Sequence, residues 1–230
     1  MNAAAVGVTI AAGTPVSVDS NQPTTTFTSP IFAIPANTLL VALVSADTAG
    51  RQVQSVRTVG SSVTNGAPLV WTRATGSNTQ LGDAEIWWAV SPLAQPTVTV
   101  VARTARNAPG SMTVMAFTGA NPSLVGAAAA SANAASGAPT VSLTTTTGFS
   151  MVVGVANTHG AAHVISAATG VPPQVIVHQF SGTPAGTGNA FWVQRTVAPV
   201  NPAGVVTIRS TYGGAMPDPW NMAAVEIRVP

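Results

Sequence analysis

The chain has 230 residues but only eight arginines, six Asp or Glu and no lysine. A soluble domain ordinarily carries about 25% charged residues, so Thr, Ser, Asn, Gln, Gly and Ala must cover most of this surface, which does not suit a cytosolic enzyme of charged metabolites. The absence of cysteine excludes disulfides, thiol catalysis and thiolate metal sites, and the arginines, closest as Arg51/Arg57 and Arg103/Arg106, lack the clustered face that nucleic-acid binding needs.

The first residues, MNAAAV, have no basic segment and no long apolar stretch, so they do not read as a signal peptide. Either a signal has been removed, or the protein leaves the cell without one, as virion proteins do on lysis. Residues 1–22 are expected to form an N-terminal arm or extra strand, ahead of a domain over 23–230. The longest apolar runs, such as LLVALV at 39–44, fall far short of the ~20 residues a spanning helix needs. No membrane span is expected.

From there the period is two almost everywhere. Residues 97–101 (TVTVV), 140–143 (TVSL) and 205–208 (VVTI) alternate or nearly alternate β-branched and apolar positions, as half-buried strands do. Turn signals punctuate them: Asn65-Gly66, Pro109-Gly110, Ser136-Gly137, Asn201-Pro202 and Gly213-Gly214. Residues 125–135, the one helix-friendly stretch, have neither an apolar stripe nor a charged face. They read as a small-residue strand or linker within a crossover over 126–138. Many short strands between Gly/Pro turns point to an all-β, antiparallel, jelly-roll-like β-sandwich.

An internal duplication stands out. Residues 30–44 resemble 139–155; Ala89-Val90-Ser91-Pro92 resembles Thr196-Val197-Ala198-Pro199; and Met112 to Phe117 resembles Met222 to Ile227. The offsets are 109, 107 and 110, in order along the chain. Two copies of one strand set, about 23–120 and 137–230, account for that order, whether they fold as one core or two.

Candidate chemistry is sparse. His159 and His163 are four apart, but their segment reads as a solvated loop with no carboxylate inside it. Asp83 and Glu85 lie two apart and so share a strand face with Trp87. Because Ala84, Ile86 and Trp88 look like core, that carboxylate face is expected to meet solvent. Nothing matches a serine-hydrolase elbow or a phosphate loop. No catalytic, cofactor or metal residues are therefore assigned. The ligand or interface candidates are Trp87, as the exposed member of an adjacent tryptophan pair, and Tyr212, Asp218 and Trp220, on a proline-fixed loop over 212–220.

The ordered series LLVALVSAD (39–47), VWTR (70–73), AEIWWAV (84–90), MTVMAFTGA (112–120), SGAPTVSLTTT (136–146), FWVQ (191–194) and WNMAAVEI (220–227) resembles a β-sandwich domain. That domain recurs in large bacterial secreted and adhesion proteins, and related domains occur in phage tail and structural proteins. The resemblance spans roughly residues 24–229. It implies an extracellular or virion β-sandwich and no characterised active site. The expectation is a non-enzymatic virion surface or tail-associated structural protein, of decoration or fibre type, that forms homo-oligomers or docks on coat or tail proteins. A secreted carbohydrate-binding or adhesion module, engaging cell-surface glycans, is the alternative.

Overall fold

A computed structural model of the protein describes residues 9–60, 68–170, 172–182, 188–212 and 217–230. These form β1 (Ala11–Ala12), β2 (Val16–Thr28), β3 (Phe32–Ile34), β4 (Thr38–Ala46), β5 (Val53–Val59), β6 (Thr72–Ser77), β7 (Asp83–Ser91) and β8 (Gln95–Thr118). They continue as β9 (Ala129–Ala134), β10 (Thr140–Thr144), β11 (Met151–Gly160), β12 (Ser166–Ala167), β13 (Gln174–Gly182), β14 (Gly188–Thr196), β15 (Val205–Thr211) and β16 (Trp220–Ile227). The strands pair antiparallel throughout. Among the described residues no helix is long and apolar enough to cross a membrane. The stretch expected to be a strand or linker contains β9.

Three sheets result. The first runs β1-β8-β4-β7-β6, with β2, β3 and β5 also on β8; the second runs β13-β14-β11-β16-β9; the third runs β10-β15-β12. The first two share one plan. Val41 on β4 pairs with Trp88 and Met115, and Val153 on β11 pairs with Arg195 and Val225. Trp88 and Arg195 are 107 residues apart, Met115 and Val225 110, as in the corresponding sequence blocks.

β8 is long enough to serve two layers. Its first part pairs with β3 and β5, and its last part with β4. β2 follows it through the bend with register shifts between Ser20 and Thr26. Gly110 marks the bend, because the Ser45 carbonyl leaves no room there for a Cβ. In the second half β15 and β16 divide the same path between two strands.

Packing decides which faces are buried. The central cluster draws Leu39, Val41, Leu43, Ile86 and Phe117 from the first sheet and Met151, Val153, Val155, Val225 and Ile227 from the second. A second cluster (Phe27, Val44, Val53, Trp87, Val100, Met112) fills the curl of the first sheet. A third (Val141, Leu143, Trp192, Ile208, Trp220, Met222) lies between the second and third sheets. Each large apolar side chain so removed from water contributes about 1.5–3 kcal/mol. β4 and β16 are therefore buried along their whole length, with apolar residues on both faces.

This arrangement corrects the reading of β7. Asp83 and Glu85 do not face solvent: both are 0% exposed. The face they share with Trp87 is closed by the curl of the first sheet. Trp87 is 7% exposed, while Trp88, expected in the core, is the half-buried member of the pair.

Candidate functional site

The polar side chains gather where β4 and β11 end. The Asp47 main-chain N–H donates to the Pro109 carbonyl at 2.9 Å, and the His159 N–H donates to the Pro219 carbonyl at 3.0 Å. His159 Nδ1–H then reaches Asp47 Oδ1 at 2.7 Å, and Asn189 Nδ2–H donates to Asp47 Oδ2 at 2.6 Å. Beside them Asn157 Nδ2–H donates to the Leu81 carbonyl, against Gly82, whose φ of +101° suits only glycine. The first and second sheets are stitched together here by polar contacts.

Asp218 and Tyr212 of the proposed ligand loop belong to a neighbouring group. His163 Nε2–H donates to Asp218 Oδ2 at 2.6 Å, and the Tyr212 ring stacks on His163 with centroids 4.1 Å apart. Burial first, and then the Asp218 carboxylate, raise the Tyr212 phenol above its ordinary value. Residues 213–216 of that loop lie outside the described residues. His159 and His163 are thus not freely solvated: His159 lies within β11 and His163 in the loop that follows it, and both imidazoles are held by carboxylates from distant segments. No sequence-local signal pairs either histidine with its carboxylate, which is why both were read as solvated. His178 follows the same rule, bonding Asp19 at 2.9 Å. An imidazole oriented by a carboxylate is half of a general-base arrangement. The Ser181 hydroxyl, however, donates to the His163 carbonyl rather than to its ring.

Inside the first sheet Glu85 takes hydrogen bonds from Arg51 Nε at 3.3 Å, Arg73 Nε at 3.0 Å and Trp87 Nε1 at 2.9 Å. Asp83 Oδ2 accepts the Gln52 and Val53 main-chain N–H groups at 2.6 and 3.2 Å. Burial, with the Glu85 charge second, raises the Asp83 pKa to about 7 despite those bonds. β14 carries the matching pair in reverse order: Trp192 Nε1–H donates to Gln194 Oε1 at 3.1 Å, with Ser210 closing the set. An acid and a tryptophan two residues apart on β7 thus become a tryptophan and an amide on β14. The arginines are the part of this cluster that spacing could not reveal.

Glu226 is the remaining acid. It accepts the main-chain N–H groups of Ala128, Thr146 and Thr147 and the hydroxyls of Thr146 and Ser150, at 2.7–3.2 Å. Burial acts to raise its pKa, but these donors outweigh it and leave the carboxyl below its ordinary value. Its effect is to pin the turn between β10 and β11.

Trp220 is 4% exposed and, with Trp87, packs inside a core cluster; its Nε1–H donates to the Ser136 carbonyl. Neither tryptophan offers a ring face to a ligand in this structure. Trp88 instead lines an open groove of about 490 Å³ with Leu69, Val70, Val90 and Leu93. Among the described residues no three His, Asp or Glu side chains come together as a metal site. Comparison with known protein families, curated proteins and solved structures finds no match.

Proposed function

We propose that the protein is a non-enzymatic structural subunit of a virion, at its surface or tail, that assembles with copies of itself or docks on a coat lattice. In this reading the sheets form a jelly-roll-like β-sandwich from a duplicated strand set. The observation that carries it is where the ionisable groups are spent. All six carboxylates are hydrogen-bonded within the protein: Asp19, Asp47 and Asp218 to the three histidines, Asp83 to main-chain amides, Glu85 to two arginines and Trp87, and Glu226 to the β10–β11 turn. A glycosidase needs an acid and a base facing one cleft, and Asp83 and Glu85 have no solvent access.

The outer surface complements that economy. Exposed apolar side chains remain, among them Phe149, Val125 and Val205, with few charges to desolvate on contact. Electron microscopy of the purified chain at high concentration tests the reading: symmetric rings, fibres or lattices support it, and single particles alone count against it.

A secreted carbohydrate-binding or adhesion module is the second reading. It rests on the half-buried Trp88 in its groove, where a sugar ring could stack. Loss of glycan affinity in Trp88→Ala, with an unchanged melting temperature, would favour it.

A further inference from the structure

Phe149 has a backbone that a bulky side chain seldom adopts, with φ of +61°. The corresponding place in the first half is Asn37, φ +53°, which precedes Thr38 and β4 as Phe149 precedes Ser150 and β11. Asparagine tolerates this conformation; phenylalanine does not. The turn is nonetheless held firmly. Glu226 bonds Thr146, Thr147 and Ser150 around it, and Ser150 bonds back to the Thr147 carbonyl. What this framework holds up is an aromatic ring left 56% exposed. A strained residue kept in place by its surroundings points to a role for the side chain rather than for the fold.

Other exposed apolar side chains share its end of the molecule. Strand register brings the turns 35–37, 92–94, 145–150 and 197–204 to the end where β4 and β11 begin, through Thr38↔Ser91, Ser150↔Val200 and the Thr145–Gly204 bonds. Leu93, Val197 and Val205 are 57%, 52% and 68% exposed there, and Val125, tied to Arg228 beyond β16, is 75% exposed. Five of the six carboxylates lie toward the opposite end: Asp47 and Asp83 at the close of β4, Glu85 and Asp19 beside it, and Asp218 before β16. The sixth, Glu226, is 0% exposed. The two arginines at the apolar end, Arg195 and Arg228, donate to local carbonyls of 196, 197, 125 and 126.

We infer that this end of the molecule is a self-association face, that its occupant is a second copy of the same chain, and that Phe149 is its anchor. The inference rests on the self-assembly reading and assigns its surface. Two copies meeting here set apolar turns against apolar turns and bring no Asp or Glu side chain against another. A polyanion such as nucleic acid finds only arginines already engaged by the chain's own carbonyls. Aromatic side chains, phenylalanine included, are enriched in interfaces, and one held on a rigid turn loses little freedom on docking.

The test is Phe149→Asn, which installs the residue used at position 37. Leu93→Glu serves as a second lesion on the same face, and Val164→Glu, 72% exposed beyond the end of β11, as a control at the opposite end. Sedimentation equilibrium and thermal melting are read together. The expected result is that Phe149→Asn weakens association about tenfold or more while its monomer melts at or above the wild-type temperature. Leu93→Glu should also weaken association, and Val164→Glu should leave it unchanged. Undiminished association in both Phe149→Asn and Leu93→Glu overturns the assigned face and leaves self-assembly standing. A wild-type chain that stays monomeric instead removes the self-assembly reading itself. Glycan affinity lost in Phe149→Asn with association intact makes the ring a ligand platform and also overturns the inference.

Discussion

Asp47 and His159 occupy corresponding positions at the ends of β4 and β11, and they bond to each other. Each donates its main-chain N–H to the carbonyl of a proline that precedes the next central-sheet segment, Pro109 or Pro219, and the side chains meet at 2.7 Å. The two halves make the same main-chain bond here but differ in side chain, one acid and one imidazole, and the difference joins them.

That contact should couple energetically. In a double-mutant cycle of Asp47→Ala and His159→Ala, followed by chemical denaturation, we expect an interaction energy of about 0.5–3 kcal/mol. Asp47→Ala alone should cost more than His159→Ala, because it also leaves Asn189 without its acceptor. Additive single effects would show that this contact does not help hold the two halves together.

Asp83 and Glu226 should set opposite pH dependences in separate windows. The Asp83 pKa is raised from 3.8 to about 7, so the folded state holds a proton that the unfolded chain releases. Its contribution to stability is fully present below about pH 4 and is lost as pH rises through 7. Glu226 is shifted downward from 4.5, so its contribution is present above that value and is lost as pH falls through the lowered folded pKa. Asp83→Asn should therefore flatten the fall in melting temperature between pH 4 and 7 while keeping the loss in more acid solution. An unaltered slope in that window would assign it to other groups.

Much of the strand pattern was readable in advance, and the exceptions share one cause. β10 and β15 alternate buried and exposed positions as residues 140–143 and 205–208 predict, because each belongs to an outer sheet with one wet face. β7 does not, because the first sheet has a core on either side, and a strand between two cores carries no exposed face to mark. Asp83, Glu85 and Trp87 were misplaced for that reason, while Trp88 packs against the central cluster and stays only half-buried at its margin. The histidine–aspartate pairs were hidden differently: Asp47 and His159 lie 112 residues apart, and Asp19 and His178 lie 159 apart. Only the meeting of the sheets brings them into reach.

Glu226→Gln keeps the shape of the side chain and replaces one acceptor oxygen by a donor facing N–H groups. We expect a loss of about 2–3 kcal/mol in unfolding free energy, with faster amide exchange at Thr146 and Thr147 as the local signature. Unchanged exchange there would mean that the β10–β11 turn is held by other contacts.

Trp87→Ala and Trp220→Ala should each destabilise the fold by about 3–5 kcal/mol, the range for truncating a buried tryptophan. Trp88→Ala should cost clearly less, since its ring is partly in water already. Thermal or denaturant unfolding of the three variants checks the order. Near-wild-type stability in Trp87→Ala would contradict its position within the curl of the first sheet.

The mass of the purified chain, followed by sedimentation velocity from micromolar to millimolar concentration, bears most directly on the central claim. A structural subunit with its carboxylates hydrogen-bonded within the chain and apolar turns at one end should rise from 22.9 kDa to a defined multiple of it. A single 22.9 kDa species across the whole range would contradict self-assembly and return the exposed Phe149 ring to some other use.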